Sequence, residues 1–323
     1  MSLRATSISQ QISILQSRRM ILPENAGDIL KQYGYYNLIN GYKDPFIDKP
    51  ASQAANEDIY KTGTNLMHLI ALYLFDCDLR SNLFRGISFI ETQVKSMISL
   101  EFSAKYGSGR SSYLSESSYH RGNRHVPALI KKLRDDIKFF STSKPHQSIL
   151  YSLQKYDDIP IWILNTVISF GTMSKMYDLL TDDLKKNIAK KIHPDLTPAE
   201  MSSMLYFLTD IRNKCAHNNR LYSHQLDQRS MRIHRIHQLH IHEILKIPRT
   251  KSGVYQCGQD DILAVFISFS IFFHQFHFQS INYETFNRQL RKLETRISPD
   301  VLSYIRRVTG LHEEYLDRLK QIS

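Results

Sequence analysis

The sequence is poor in the residues that build tight turns, disulfides and zinc sites. Its 323 residues include 12 glycines, 10 prolines and 3 cysteines. Because folds made of many short strands need Gly and Pro for their turns, this composition favours helices. The cysteines, at positions 77, 215 and 257, are far apart and odd in number, which excludes a disulfide framework and a CxxC zinc site. We therefore expect a reducing, cytoplasmic environment.

Long apolar runs are also missing. The longest, Ile262–Phe273, is too short for a membrane span of about 20 residues and predicts a buried helix. The first 20 residues contain no continuous apolar stretch, so we expect neither a secretory signal nor a membrane partner. The sequence has no phosphate-binding GxxxxGK loop, dinucleotide-binding GxGxxG, HExxH or GxSxG motif. We expect no cofactor and no metal.

Positive charge is in excess. The 42 Lys and Arg residues outnumber the 31 Asp and Glu residues and give a formal charge of +11, which indicates a polyanionic partner such as RNA. Two basic helical segments are predicted to bind RNA. The first carries Arg229, Arg232, Arg235 and His237, and the second carries Lys131, Lys132 and Arg134. The alternative for both segments is an ordinary solvated helix face. For the first segment, His234, His237 and His240 leave a metal site as a further alternative.

Apolar periodicity predicts an all-α fold. From Leu66 to Lys105 the spacing predicts one long helix, or two with a kink near Gly86. The residues TPAE at 197–200 predict a capping box that opens a helix with an apolar stripe ending at Cys215. Other helices are predicted near 24–33, 125–140, 147–156, 161–180, 228–246, 259–278, 283–296, 299–307 and 311–321. Residues 34–50 are predicted to form a structured loop, and residues 107–123 an exposed, mobile one.

The segment DIRNKCAHNNRLY, residues 210–222, combines side chains suited to RNA cleavage. A histidine such as His217 can take the proton of a 2′-hydroxyl or give one to the leaving 5′-oxygen. An arginine such as Arg212 can hold the phosphate and stabilise its growing charge. This chemistry needs no metal and leaves a 2′,3′-cyclic phosphate and a 5′-hydroxyl.

Helical geometry indicates that one copy of this segment is an incomplete site. On an ideal helix Arg212 and His217 diverge by roughly 140°, whereas Asn213, His217 and Arg220 fall on one face. Two copies across a twofold axis can pool their side chains, so we expect a homodimer. The Arg-x4-His spacing is not specific, since four other pairs in the chain share it. The alternative is that Arg212 forms ion pairs at the helix end and His217 is a surface residue.

The same segment resembles the Arg-Asn-x-x-Ala-His-x-x-Arg signature of the bacterial abortive-infection (Abi) proteins of the AbiD/AbiF type, which belong to the HEPN superfamily. Three further blocks are similar to that family, namely GYYNLINGYKDPF at 34–46, FDCDLR at 75–80 and PIWILNTVISFGTMS at 160–174. The four blocks occur in order and cover roughly residues 34–222.

The resemblance implies a HEPN-like helical bundle that dimerises through the helix carrying Arg212 and His217. It implies a metal-independent endoribonuclease in phage defence, or the toxin of a toxin–antitoxin pair, with a small RNA as a potential regulator. Arg212 and His217 are then the catalytic pair, Asn213 orients or contacts the phosphate, and the site is supported by Glu91, Lys95 and Arg220. One departure is Thr166, which stands where the family usually has Glu.

Three regions are expected. Residues 1–60 form an N-terminal helix and a Tyr/Gly-rich structured loop. Residues 61–225 form the HEPN-like core with the motif, and residues 226–323 form the basic, His-rich helix and C-terminal helices packed on the core. A non-catalytic RNA-binding protein on the same scaffold is the alternative function, which Thr166 favours, and an interaction module in a defence complex is a third.

Overall fold

A computed structural model describes residues 6–224, 240–273 and 278–322, and this part of the chain is all-α. Within these ranges the backbone forms helices and turns, and its β-type contacts are isolated bridges such as Ile21 with Asn65. The all-α fold class predicted from the sequence is confirmed.

The N-terminal region wraps short helices around the start of the central helix. Its α-helices are α1 (Ile8–Ser17), α2 (Ala26–Tyr33) and α3 (Lys49–Ala55). A π-helical turn at Tyr36–Asn40 and a 3-10 turn at Asp44–Phe46 lie between α2 and α3. The predicted structured loop over 34–50 is therefore made mostly of helical turns.

The central element is α4 (Leu66–Tyr106), a continuous helix of 41 residues and about 60 Å. Its inward side chains recur at helical spacing and are completely buried from Leu69 to Phe102. The kink allowed near Gly86 is not present. A β-carbon at Gly86 would lie 2.6 Å from Cε2 of Phe269, so the glycine there serves close packing and not bending.

The segment after α4 is packed, and the prediction of an exposed, mobile loop over 107–123 is wrong. It contains the short helix α5 (Arg110–Tyr113) and a 3-10 turn at Glu116–Ser118. The hydroxyl of Tyr113 donates to Ile159 O at 2.7 Å, and the hydroxyl of Tyr119 donates to Tyr113 O at 2.7 Å. Both rings are buried because these bonds satisfy their hydroxyls. Helices α6 (Val126–Lys138) and α7 (Gln147–Tyr156) follow.

The next helices pack against α4, and a single predicted helix over 161–180 is wrong. The chain forms α8 (Ile161–Leu164) and α9 (Phe170–Leu179) with a turn between them. In that turn the Asn165 amide donates to Lys95 O at 2.9 Å, and Lys95 Nζ donates to Ile168 O at 2.7 Å. Hydrogen bonds to α4 thus replace those that would continue the helix.

Helix α10 (Asp182–Ile192) leads to α11 (Pro198–Ala216), which carries most of the Arg212 segment. The predicted capping box is confirmed, since the Thr197 hydroxyl accepts from Glu200 N and the Glu200 carboxylate accepts from Thr197 N. Buried apolar side chains from Met201 to Cys215 pack α11 against α4 and α9.

The C-terminal helices cover another side of α4. They are α12 (His240–Ile244), α13 (Ile262–Phe272), α14 (Phe278–Glu294), α15 (Pro299–Thr309) and α16 (Glu313–Ile322). Every residue of α13 is buried, as its apolar run predicted, and Phe286 of α14 packs edge-on against Phe75. In the described ranges, no helix combines the length and apolar character needed to cross a bilayer.

Candidate functional site

Arg212 lies in a row of charges between α11 and α4. Its Nε is 3.7 Å from Oε2 of Glu91, whose Oε1 is 2.8 Å from Lys95 Nζ. Lys95 also bonds to Ile168 O, and the Arg212 guanidinium lies 5.8 Å from the ring centre of Phe84. One carboxylate is therefore shared by two cations, which leaves the row with a net positive charge. The structure brings Glu91 and Lys95 to Arg212, as the resemblance implies.

His217 lies at the C-terminal end of α11, where the helix stops. The last helical residue is Ala216, His217 is the C-cap, and Asn218 has the left-handed φ of 54°. His217 N still donates to Asn213 O at 3.0 Å. Its side chain is exposed, and among the described residues none forms a hydrogen bond with the imidazole. The ring is therefore open to solvent and to a ligand or a second chain.

Arg220 does not share a helical face with Asn213 and His217 as predicted. Because α11 ends at Ala216, Arg220 lies in the irregular segment after the helix and not one turn further along it. Its Nη1 donates to Gly41 O at 2.7 Å and lies 3.1 Å from Asp44 Oδ2. Arg220 thus fastens the N-terminal region to the motif. Asn213 stays exposed on the last turn of α11.

A buried carboxylate beneath the motif was not identified from the sequence. Asp76 has no exposed surface and accepts hydrogen bonds from the Tyr42 hydroxyl at 2.8 Å, Leu221 N at 3.1 Å and Tyr222 N at 2.6 Å. Its ion-pair partner is Arg80, one turn along α4. Burial raises the pKa of Asp76, whereas these four donors favour its ionised form. The spacing of four in FDCDLR is the sequence signal that could have identified the pair.

Two more contacts fix the chain around His217. Arg80 Nη1 donates to Asn219 O at 3.4 Å, directly after the left-handed residue. His224 Nε2 is 2.7 Å from Asp210 Oδ2, which ties the chain back to α11. The short segment that carries His217 is therefore held on both sides by α4 and α11.

A groove of about 500 Å³ runs along α4 beside the charge row. Its lining combines hydroxyls, an amide, the Glu91–Lys95 pair and one indole, contributed by Ser88, Glu91, Thr92, Lys95, Ser96, Ser99, Trp162, Asn165 and Thr166. Thr166, which departs from the family's usual Glu, lies in this groove. Its hydroxyl donates to Ile163 O at 2.7 Å, within its own turn.

The other predicted RNA-binding residues lie elsewhere. Lys131, Lys132 and Arg134 are exposed on α6, where Lys132 pairs with Asp136. The tract with Arg229, Arg232, Arg235 and His237 falls outside the described residues. Over the ranges that the structure describes, there is no group of three or more His, Cys, Asp or Glu side chains placed to hold a metal ion.

A comparison with protein-family models matches residues 28–223, more than half of the chain, to the Abi-like protein family. The chain belongs to this family. Apart from His224, every residue in the contacts described around Arg212, His217 and Asp76 lies inside the matched residues. Neither a search of curated proteins nor a search of solved structures gave a significant match.

In this Abi-like chain three of the four blocks that resemble the family meet in space. The block at 34–46 contacts the block at 210–222 through Arg220, and the block at 75–80 contacts both through Asp76. The block at 160–174 contacts α4 at Lys95, outside those three blocks, through Asn165.

Proposed function

We propose that this Abi-like protein is a metal-independent endoribonuclease of HEPN type that acts in phage defence, by abortive infection or as a toxin. The observation that carries the proposal is the pairing of a partly buried Arg212, oriented by Glu91, with an exposed His217 five residues later. The family match supports the defence role.

The proposed reaction is an internal transesterification. One His217 imidazole takes the proton of the 2′-hydroxyl, and the 2′-oxygen attacks the adjacent phosphorus. The P–O5′ bond breaks, and an imidazolium gives its proton to the 5′-oxygen. Arg212 binds the non-bridging oxygens, whose charge grows in the transition state, and the Asn213 amide contacts the same phosphate.

The base and the acid of this reaction are best supplied by two chains. A single His217 cannot be deprotonated for one step and protonated for the other on opposite sides of the phosphate at once. The position of His217 at the open end of α11 allows a second copy to bring its own His217 close. We therefore propose a homodimer formed through α11, with both histidines in one cleft.

The test is cleavage of total cellular RNA in EDTA by the wild type and by His217→Ala. We expect the wild type to leave 2′,3′-cyclic phosphate ends, and the variant to be at least about 100-fold slower because it lacks the acid–base group. His125→Ala is the matched control, since His125 is an exposed histidine at the start of α6 and lies outside the segment 210–222. It should cleave like the wild type.

Equal cleavage by wild type and His217→Ala would remove His217 from the reaction. The second candidate function, RNA binding without cleavage, is favoured by Thr166 in the groove in place of the family's acid. It predicts that neither protein cleaves RNA, while both bind it with the same affinity and the same loss of affinity at high salt.

A further inference from the structure

Trp162 is the only tryptophan of the chain, and it is half exposed, with 52% of its surface open to solvent. It forms a wall of the groove that also contains Glu91 and Lys95. An indole is the side chain with the largest flat apolar surface, and leaving half of it in water gives up part of the free energy of burial. Its position in a groove beside the charge row makes the indole accessible to a ligand.

The backbone around Trp162 holds the ring outward. Helix α8 is a single turn whose inward residues, Ile161 and Leu164, are completely buried. Trp162 follows Ile161 on the other side of the turn. The turn is fixed because Ile161 N donates to Ser108 O at 2.8 Å and Asn165 donates to Lys95 O. The indole therefore lies on a fixed segment, and little conformational entropy is lost when a flat ligand binds to it.

The floor of the groove carries hydroxyl groups and the Glu91–Lys95 pair, and Arg212 lies beside it. Its α4 residues are hydroxyls and charges at helical spacing, namely Ser88, Glu91, Thr92, Lys95, Ser96 and Ser99. Glu91 is shared between Lys95 and Arg212, so the two cations outnumber the acid. A chain that carries phosphates on one side and flat bases on the other fits both surfaces.

We propose that Trp162 is the stacking platform for one base of single-stranded RNA, next to the phosphate that Arg212 holds. This rests on the proposed ribonuclease function, because that function places the RNA at Arg212. A base that stacks on Trp162 must be free of its own helix, so the site takes unpaired nucleotides and excludes duplex RNA. Trp162 is then a specificity-determining residue that selects the strand state of the substrate.

The single tryptophan makes the proposal directly measurable. In His217→Ala protein, which leaves the RNA intact, we expect a short single-stranded RNA of mixed sequence to quench the tryptophan emission as it binds. Inorganic polyphosphate has the charge and no bases, so it should bind without that quenching. The same RNA in a perfect duplex should quench little.

Affinity variants provide the second readout. With a fluorescein-labelled copy of the RNA, Trp162→Ala in the His217→Ala background should bind about tenfold more weakly, because it loses one base–aromatic stack. Trp162→Phe keeps an aromatic face and should bind close to normally. Tyr156→Ala, at an aromatic residue of α7 with 59% exposure that does not line the groove, is the matched control and should have no effect.

The outcomes separate this proposal from the function on which it rests. RNA binding without quenching, with Trp162→Ala as tight as its parent, overturns the stacking platform and leaves the ribonuclease intact. A wild type that neither binds nor cleaves RNA overturns both. Tryptophan emission that changes with protein concentration alone, and not with RNA, would assign Trp162 to a subunit interface and also overturns the platform.

Discussion

At the residue scale, Asp261 is a buried carboxylate that caps a helix. It is the N-cap of α13, where its Oδ1 accepts from Ala264 N at 3.0 Å and its Oδ2 accepts from Gly258 N at 2.9 Å. Burial raises the pKa of its carboxyl to about 7. The helix N-terminus and the two N–H donors favour the carboxylate, but they do not compensate for the loss of water around it.

This pKa predicts a pH dependence of stability. The folded chain binds the Asp261 proton more tightly than the unfolded chain, whose carboxyl has the ordinary value of 3.8. The free energy of unfolding should therefore fall as pH rises, with Asp261 contributing about 1.4 kcal/mol per pH unit between pH 5 and 6. Asp261→Asn should lose this slope and keep the Oδ1 cap. Urea unfolding of both proteins from pH 5 to 8 measures it, and parallel curves would show that Asp261 does not titrate there.

Some residues of the candidate site could be identified from the sequence, and others could not. Arg212, His217, Glu91 and Lys95 could be named in advance because the family resemblance singles them out, and the structure brings Arg212, Glu91 and Lys95 into one row. Asp76 could not be assigned a task from the sequence alone. Its role depends on donors that lie more than 30 residues before it and more than 140 residues after it in the chain. Only the folded backbone brings those donors together.

At the scale of elements, the contact between α4 and α13 depends on a missing side chain. Gly86→Ala should lower the free energy of unfolding by about 1–3 kcal/mol, because the new methyl group overlaps the Phe269 ring. This is the opposite of the gain of about 1 kcal/mol expected from helix propensity alone. Gly41→Ala is the control, since Gly41 has a helical φ of −73° and nothing within 4 Å of its added carbon.

Urea unfolding of the two glycine variants is the measurement. Gly41→Ala should be as stable as the wild type or slightly more stable. If Gly86→Ala were equally stable, the α4–α13 contact would have to be looser than the structure shows. Shortening the opposing ring by Phe269→Leu in the Gly86→Ala protein should recover part of the loss, because it makes room for the methyl group.

Helices were predicted well where the apolar periodicity extends over many residues. They were predicted poorly where tertiary contacts determine the ends of a helix. The long α4 and the capped start of α11 were found because their signals are local. The break at 165–169 was missed because it depends on hydrogen bonds to α4, about 70 residues away. Helices α1, α3 and α10 were not anticipated, although the spacing of Leu184, Ile188 and Ile192 in α10 is a helical signal.

At the scale of the whole molecule, the proposed shared cleft predicts that an inactive chain suppresses an active one. The proposed reaction uses both His217 side chains of the dimer, one as the base and one as the acid. Mixed dimers of wild type and His217→Ala, formed by unfolding and refolding equal amounts together, contain only one His217 and should be inactive. RNA cleavage should therefore fall to about a quarter of the wild-type level, the share of wild-type dimers, and not to about half.

Sedimentation of the wild type is the accompanying measurement, and it should show a dimer. Refolding the wild type and His217→Ala separately, followed by mixing without unfolding, is the control for exchange of subunits. A protein that cleaves RNA at full rate as a monomer would contradict the shared cleft, and so would cleavage that falls only to about half in the co-refolded mixture.

The buried contact around Asp76 limits where the chain can be truncated or fused to another protein. Asp76 joins Tyr42, Arg80 and the backbone of Leu221 and Tyr222 in one buried contact. A gene fusion or a proteolytic cut near residue 60 would separate the first of these from the rest and open a buried ion pair to solvent. The smallest portable unit that keeps His217 in place therefore begins before Tyr42, which agrees with the start of the family match at residue 28.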